Sequence, residues 1–118
     1  MLTKKFAVYV PSTVNVDKPL DKDQLRKAVD SVLADMSRIF GGATAWEAEG
    51  AWLSGETGQL IKERITIVYA YSAEDAAKKA TSSVYEIARR LAAELRQEAV
   101  TVETPAGMDF VQPAAKTA

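Results

Sequence analysis

Residues Lys4 to Val10 alternate, with Phe6, Val8 and Val10 on one side and Lys5, Ala7 and Tyr9 on the other. That two-residue period is the signature of a strand with one buried face. Pro11 closes the strand, and Ser12 to Leu20 brings the hydroxyls, Asn, Asp and Pro of a long connection. The period then lengthens: Leu25, Ala28, Val29, Val32, Leu33, Met36, Ile39 and Phe40 recur at helical spacing and predict a helix with one apolar stripe. Asp21 and Gln24 form a capping box at its start, able to satisfy backbone N–H groups that have no partner within the helix. Gly41 and Gly42 end it, because glycine accepts the left-handed conformation favoured at helix C-termini.

Alternation returns from Thr44 to Leu53, with Trp46, Ala48, Gly50 and Trp52 on one face and Glu47, Glu49, Ala51 and Leu53 on the other. Ser54 to Gly58 reads as a turn. Ile61 to Tyr71 is apolar on both faces, as a central strand would be. Ser72 with Asp75 suggests a second capping box, followed by a helix whose stripe is Ala77, Ala80, Val84, Ile87, Ala88, Leu91 and Leu95. Ala99 to Glu103 is a fourth strand. Thr104-Pro105-Ala106-Gly107 turns the chain into a short returning strand at Met108 to Val111, and Pro113 to Ala118 reads as a tail.

This βαββαβ order predicts an α+β ferredoxin-like sandwich. Two interleaved right-handed crossovers put both helices on one face of an antiparallel sheet ordered 4-1-3-2, counting the long strands along the chain. The C-terminal hairpin adds a short strand. Residues 1–112 are expected to make one domain and residues 113–118 a flexible tail. The other sheet face is left open, and an uncovered apolar face on a domain of this size marks a partner surface. Trp46 and Trp52 are expected in the core or in a dimer interface.

Composition removes several chemistries. No Cys and no His occur in 118 residues, so disulfides, thiolate catalysis and imidazole chemistry are absent. The glycines match neither G-x-G-x-x-G nor the P-loop pattern. No catalytic residue, metal or cofactor is assigned. Fifteen basic and sixteen acidic residues leave a net charge of -1, interspersed along both helices, so the basic face that phosphate binding uses is missing. Tyr9, Tyr69 and Tyr71 fall where an RNA-recognition domain stacks bases. The strand Arg64 to Tyr71 lacks that family's Gly-aromatic pattern, and nucleic acid is not expected. No apolar run approaches the roughly 18 residues of a membrane span, and the start lacks a secretory leader, so the cytoplasm is the expected location.

Two surfaces remain. The loop after the first strand, with Ser12, Thr13, Asn15 and Asp17, and the turn with Gly55, Glu56 and Gly58 belong to the same end of the sheet. Together they could hold an anion or small polar ligand, or they could be turn formers serving their own backbone. The open face, carrying Tyr9 and Tyr69, suits a second copy or another protein. Glu47 and Glu49, with Glu63 close by, could act as paired carboxylates of a hydrolase. Acidic residues alternating along an edge strand also guard that edge against unwanted pairing. The expected function is therefore a non-enzymatic, self-associating interaction module. A small-ligand binding or sequestering protein and a carboxylate-dependent hydrolase are the alternatives.

Tyr9-Val10-Pro11-Ser12-Thr13, Phe40-Gly41-Gly42-Ala43-Thr44, Gly50-Ala51-Trp52 and Glu63-Arg64-Ile65-Thr66-Ile67-Val68-Tyr69 resemble short uncharacterised bacterial proteins, some accompanying phages or mobile elements. The Gly-rich helix end, then Gly-x-Trp, then a Glu leading an apolar strand is also similar to the DUF3574 family. The resemblance spans residues 4 to 103. It implies the fold expected above, no particular activity, and an accessory or inhibitor role.

Overall fold

In the computed structural model, which describes residues 1–15 and 18–114, the first alternating segment forms β1 (Lys4–Pro11). It lies at the centre of a five-stranded sheet. Helix α1 (Lys22–Phe40) starts at Asp21, whose Oδ1 accepts from the Gln24 N–H at 2.8 Å while Gln24 Oε1 accepts from the Asp21 N–H at 3.1 Å. The helix stops at Gly41, where φ is 86° and the N–H donates to the Ser37 carbonyl. Replacing Asp21 with Ala should lower the unfolding free energy by about 1 kcal/mol in urea denaturation, the usual cost of losing such a cap.

β4 (Thr44–Leu53) and β5 (Leu60–Ser72) follow as a long hairpin, then α2 (Ala77–Glu94), β6 (Val100–Thr104) and β7 (Gly107–Val111). All pairings are antiparallel and the strand order is β4-β5-β1-β6-β7. The long connection holds structure that the sequence pattern did not announce: β2 (Thr13–Val14) pairs with β3 (Lys18–Pro19) in a separate two-stranded piece. Asp17 and residues 115–118 of the expected tail lie outside the described residues.

The core is built from one face of the sheet. Phe6, Val8 and Val10 of β1, Val68 and Ala70 of β5, and Val100 and Val102 of β6 meet Val29, Val32 and Met36 of α1 and Val84, Ile87 and Leu91 of α2. Alternation puts these strand residues on the same side, and the helical period turns the apolar stripes of both helices toward them. Phe6 also packs on Phe40, with ring centroids 5.2 Å apart.

The second capping box is a correction. Ser72 stays in the sheet, paired with Lys4, and its hydroxyl donates to the Ala73 carbonyl rather than capping a helix. The chain enters α2 through a short 3₁₀ turn, Glu74–Ala76, with no side-chain cap. Continued pairing with β1 holds the Ser72 backbone in the extended ladder and leaves its hydroxyl no helical N–H to accept from.

Candidate functional site

The face of the sheet away from the core can be read from the strand registers. Trp46 lies opposite Ile67, Ile67 opposite Tyr9, and Thr101 opposite Phe110. The β1–β6 register, with Ala7 opposite Glu103, continues to bring Tyr9 level with Thr101. One row, Trp46–Ile67–Tyr9–Thr101–Phe110, thus crosses the whole sheet. The next row runs Thr44–Tyr69–Ala7–Glu103–Met108. Toward the hairpin, Ala48–Ile65–Pro11, Gly50–Glu63 and Trp52–Ile61 extend the same face.

This face is largely apolar toward its edges, with a few charged residues among them. Trp46 is 55% exposed, Trp52 54%, Met108 55% and Phe110 66%, while Ile67 and Ala7 beneath them are buried. Both tryptophans are therefore outside the core, which was one of the two places expected for them. Core burial fails because α1 and α2 cover the other face, to which Ala45 and Val68 point.

A polar group sits in the middle. The Tyr9 hydroxyl donates to Glu103 Oε1 at 2.5 Å, and Lys5 Nζ lies 3.8 Å from Glu103 Oε2. Lys5 Nζ also stands 5.4 Å from the centroid of the Tyr69 ring, whose edge meets Tyr71. Burial, reinforced by the hydrogen bond and the charge of Glu103, pushes the Tyr9 phenol from 10.0 up to about 12. A raised phenol binds its proton more tightly in the folded chain, so its contribution is intact below pH 10.0 and is lost as pH climbs through about 12. The stability gap between the native chain and Tyr9→Phe should accordingly shrink across that window in urea titrations. A gap that stays constant would show that the bond to Glu103 holds no such linkage.

Tyr9 and Tyr69 are thus brought together, with Lys5 and Glu103 as partners that the sequence reading did not single out. Their signal was present in the alternation, since Lys5 and Tyr9 share a face and Glu103 is the corresponding residue of β6. A second tyrosine–carboxylate bond lies on the helix side, where the Tyr85 hydroxyl donates to Asp109 Oδ2 at 2.5 Å. That bond raises the phenol and, with the Phe110 N–H, lowers the Asp109 carboxyl.

The two loops are not brought together. Ser12 accepts the Leu20 N–H through its carbonyl, the Thr13 carbonyl accepts from Gln97 Nε2 at 2.9 Å, and the Asn15 N–H donates to the Leu95 carbonyl. This loop is therefore fastened to the end of α2. Gly55, Glu56 and Gly58 are exposed at the hairpin tip, closed by Ser54 N–H to Gln59 O and Gly58 N–H to Ser54 O. The last β1 pair is Pro11 with Ile65, whereas the hairpin continues to Leu53 with Leu60. Those five further residues carry the tip about 17 Å past the end of β1.

The carboxylates also separate. Glu47 and Glu49 point to the helix side of β4, opposite Thr66 and Arg64, whereas Glu63 lies opposite Gly50 on the other face. Glu49 pairs with Lys62 at 3.6 Å. Alternation alone sends Glu63 away from the other two, so the trio expected to be close does not assemble. Among the described residues no group of three acidic side chains could hold a metal ion, and no helix is long and apolar enough to cross a membrane.

Two clefts flank the sheet on the helix side. One, of about 500 Å³, lies between the start of α1 and β4, lined by Leu25, Arg26, Ala45, Glu47 and Thr66. The other, of about 530 Å³, lies where α1 ends and α2 begins, with Leu2, Ile39, Phe40 and Ala80 on its walls and Arg38, Asp75 and Lys79 around them.

The architecture is shared with known structures. A phage SAM lyase in complex with S-methyl-5'-thioadenosine is similar at 20% identity and a TM-score of 0.69, covering 97% of this chain and 92% of that one. The apo state of a phage SAM lyase matches with the same identity and TM-score over 98% and 94% of the two chains. A Bacillus cereus protein related to NIF3 matches at 14% identity and a TM-score of 0.50, over 98% of this chain but only 28% of its own. None of the curated proteins matches the chain. A family model described as "Protein of unknown function (DUF3574)" matches residues 11–110, and with most of its length inside that match the chain belongs to the DUF3574 family.

Proposed function

We propose that this chain is a non-enzymatic interaction module that self-associates through the open sheet face. The row Trp46–Ile67–Tyr9–Thr101–Phe110 carries that reading, because it exposes large aromatic side chains at both ends of one continuous surface. Five strands about 4.8 Å apart, averaging about eight residues at about 3.3 Å each, make a face of roughly 650 Å², near the roughly 800 Å² that one partner gives to an interface of standard size. A second copy fits that area. The edges are less suited to pairing, since Glu47 and Glu49 line β4 and Asp109 lies on β7, so edge-to-edge contact would bring like charges together. The fold is read as ferredoxin-like, a reading supported by the run β6-β1-β5-β4 within the sheet.

Association couples to stability by mass action. The melting temperature should rise with protein concentration, and one independent of concentration would overturn the reading. A cytoplasmic accessory protein of a phage or mobile element is the setting in which we place it, supported by the phage origin of the similar structures.

A second reading is favoured by one observation, the shared architecture with a lyase that holds S-methyl-5'-thioadenosine. In that reading the chain binds an adenosine thioether or its sulfonium parent, S-adenosylmethionine, with exposed aromatic side chains such as Trp46 available to stack on the base. A ligand bound only by the folded chain must raise its melting temperature. Millimolar S-methyl-5'-thioadenosine that leaves the melting temperature unmoved would remove this reading.

A further inference from the structure

The β4–β5 hairpin runs past the body of the protein, and its outer part carries apolar residues on both faces. Trp52 lies on the open-face side, while Leu53 and Leu60, opposite one another, lie on the helix side and are 70% and 55% exposed. Self-association through the open face covers only the first of these. An isolated two-stranded ribbon is marginal in water, so the Leu53–Leu60 side calls for a second contact.

At the other end of the molecule is the 530 Å³ cleft with Leu2, Ile39 and Phe40 on its walls. Two cations border it. Arg38 is held by Asp35 at 2.8 Å on an exposed side chain, and Lys79 has no ion pair among the described residues. Asp75 is the only acidic group lining the cleft among the described residues, which leaves it with a positive balance. The hairpin tip offers the complement: two exposed leucines with Glu56 between them in sequence and no basic residue from Leu53 to Leu60.

We infer that the hairpin tip of one copy docks in this cleft of another, with Leu53 and Leu60 on the apolar wall and Glu56 against Lys79 and Arg38. The contact is between chains. The tip and the cleft lie at opposite ends of β5, about 40 Å apart at about 3.3 Å for each step along the strand, and the molecule measures 45 Å along its longest axis. A tip-to-cleft contact is therefore head-to-tail, and closes a ring or propagates, unlike a two-fold pairing of sheet faces. It stands independently of the open-face reading.

A charge exchange tests it. In sedimentation velocity of the full chain, Glu56→Lys should weaken self-association about tenfold or more, the size of effect seen for close interfacial charge pairs. Lys79→Glu should do the same, and the two together should restore association. Leu53→Asp, on an exposed side chain that the fold does not need, should abolish the head-to-tail species. Unchanged association in the single charge variants overturns the inference, and so does loss in both without restoration in the pair. Because neither Glu56 nor Lys79 belongs to the open face, association that survives their exchange but fails when Trp46 is changed leaves the open-face reading standing alone.

Discussion

Replacing Trp46 and Phe110 together with Glu, in a Leu53→Asp background that removes the tip contact, is expected to yield a folded monomer. Each side chain ends the row that crosses the open face, and both are more than half exposed in the single chain. Removing them therefore opens no cavity in the core, and the thermal unfolding of the isolated chain should be little changed. In an interface, aromatic anchors of this kind commonly cost 2 kcal/mol or more each when truncated, and a buried charge adds to that. The pair should raise the dissociation constant about a thousandfold, equivalent to about 4 kcal/mol. Sedimentation velocity at matched concentrations reads the mass, and near-ultraviolet circular dichroism reads the packing. Association that survives both substitutions, with the fold intact, would mean that the open face is not the contact.

Phe6→Ala is expected to have the largest effect on stability. Phe6 is the largest of the fully buried side chains, on the face of β1 that meets the helices, with its ring against Phe40. Truncation of a buried Phe costs about 3–5 kcal/mol through lost transfer energy and the cavity left behind. A domain of this kind has about 5–15 kcal/mol in total, so the variant should unfold at much lower urea. Ala7, the next residue in the chain, is also fully buried but on the opposite face, under Tyr69 and its neighbours. Ala7→Gly should cost far less, because one methyl is removed and the helices are untouched. Equal costs for Phe6→Ala and Ala7→Gly would contradict the placement of the core on one face.

Much of this organisation was legible in the sequence because alternation and helical spacing are local signals. Phe6, Val8 and Val10 announce a buried strand face, and Asp21 with Gln24 announces a helix start, with no knowledge of the rest of the chain. What failed depended on contacts distant in sequence. The Ser72–Asp75 spacing fits a capping box, but pairing with Lys4 holds Ser72 in the sheet. Glu63 and Glu49 look like neighbours on adjacent strands until the register places Glu63 opposite Gly50.

The candidate site divides in the same way. Tyr9 and Tyr69 come from strands whose alternation was clear, and they do share the open face. Glu103 joins them only because β6 returns beside β1, with Glu103 opposite Ala7. The loops belong to one end of the sheet, but the hairpin outruns β1 by five residues of β5. No local pattern reports how far a hairpin projects past its neighbour, because that is set by the register of the whole sheet.

Sedimentation equilibrium of the native chain across the micromolar range tests the central claim most directly. A mass that rises with concentration above the 12.8 kDa of one chain, and returns to it when Trp46→Glu and Phe110→Glu are combined with Leu53→Asp, is the predicted result. A native chain that remains at 12.8 kDa throughout would contradict it.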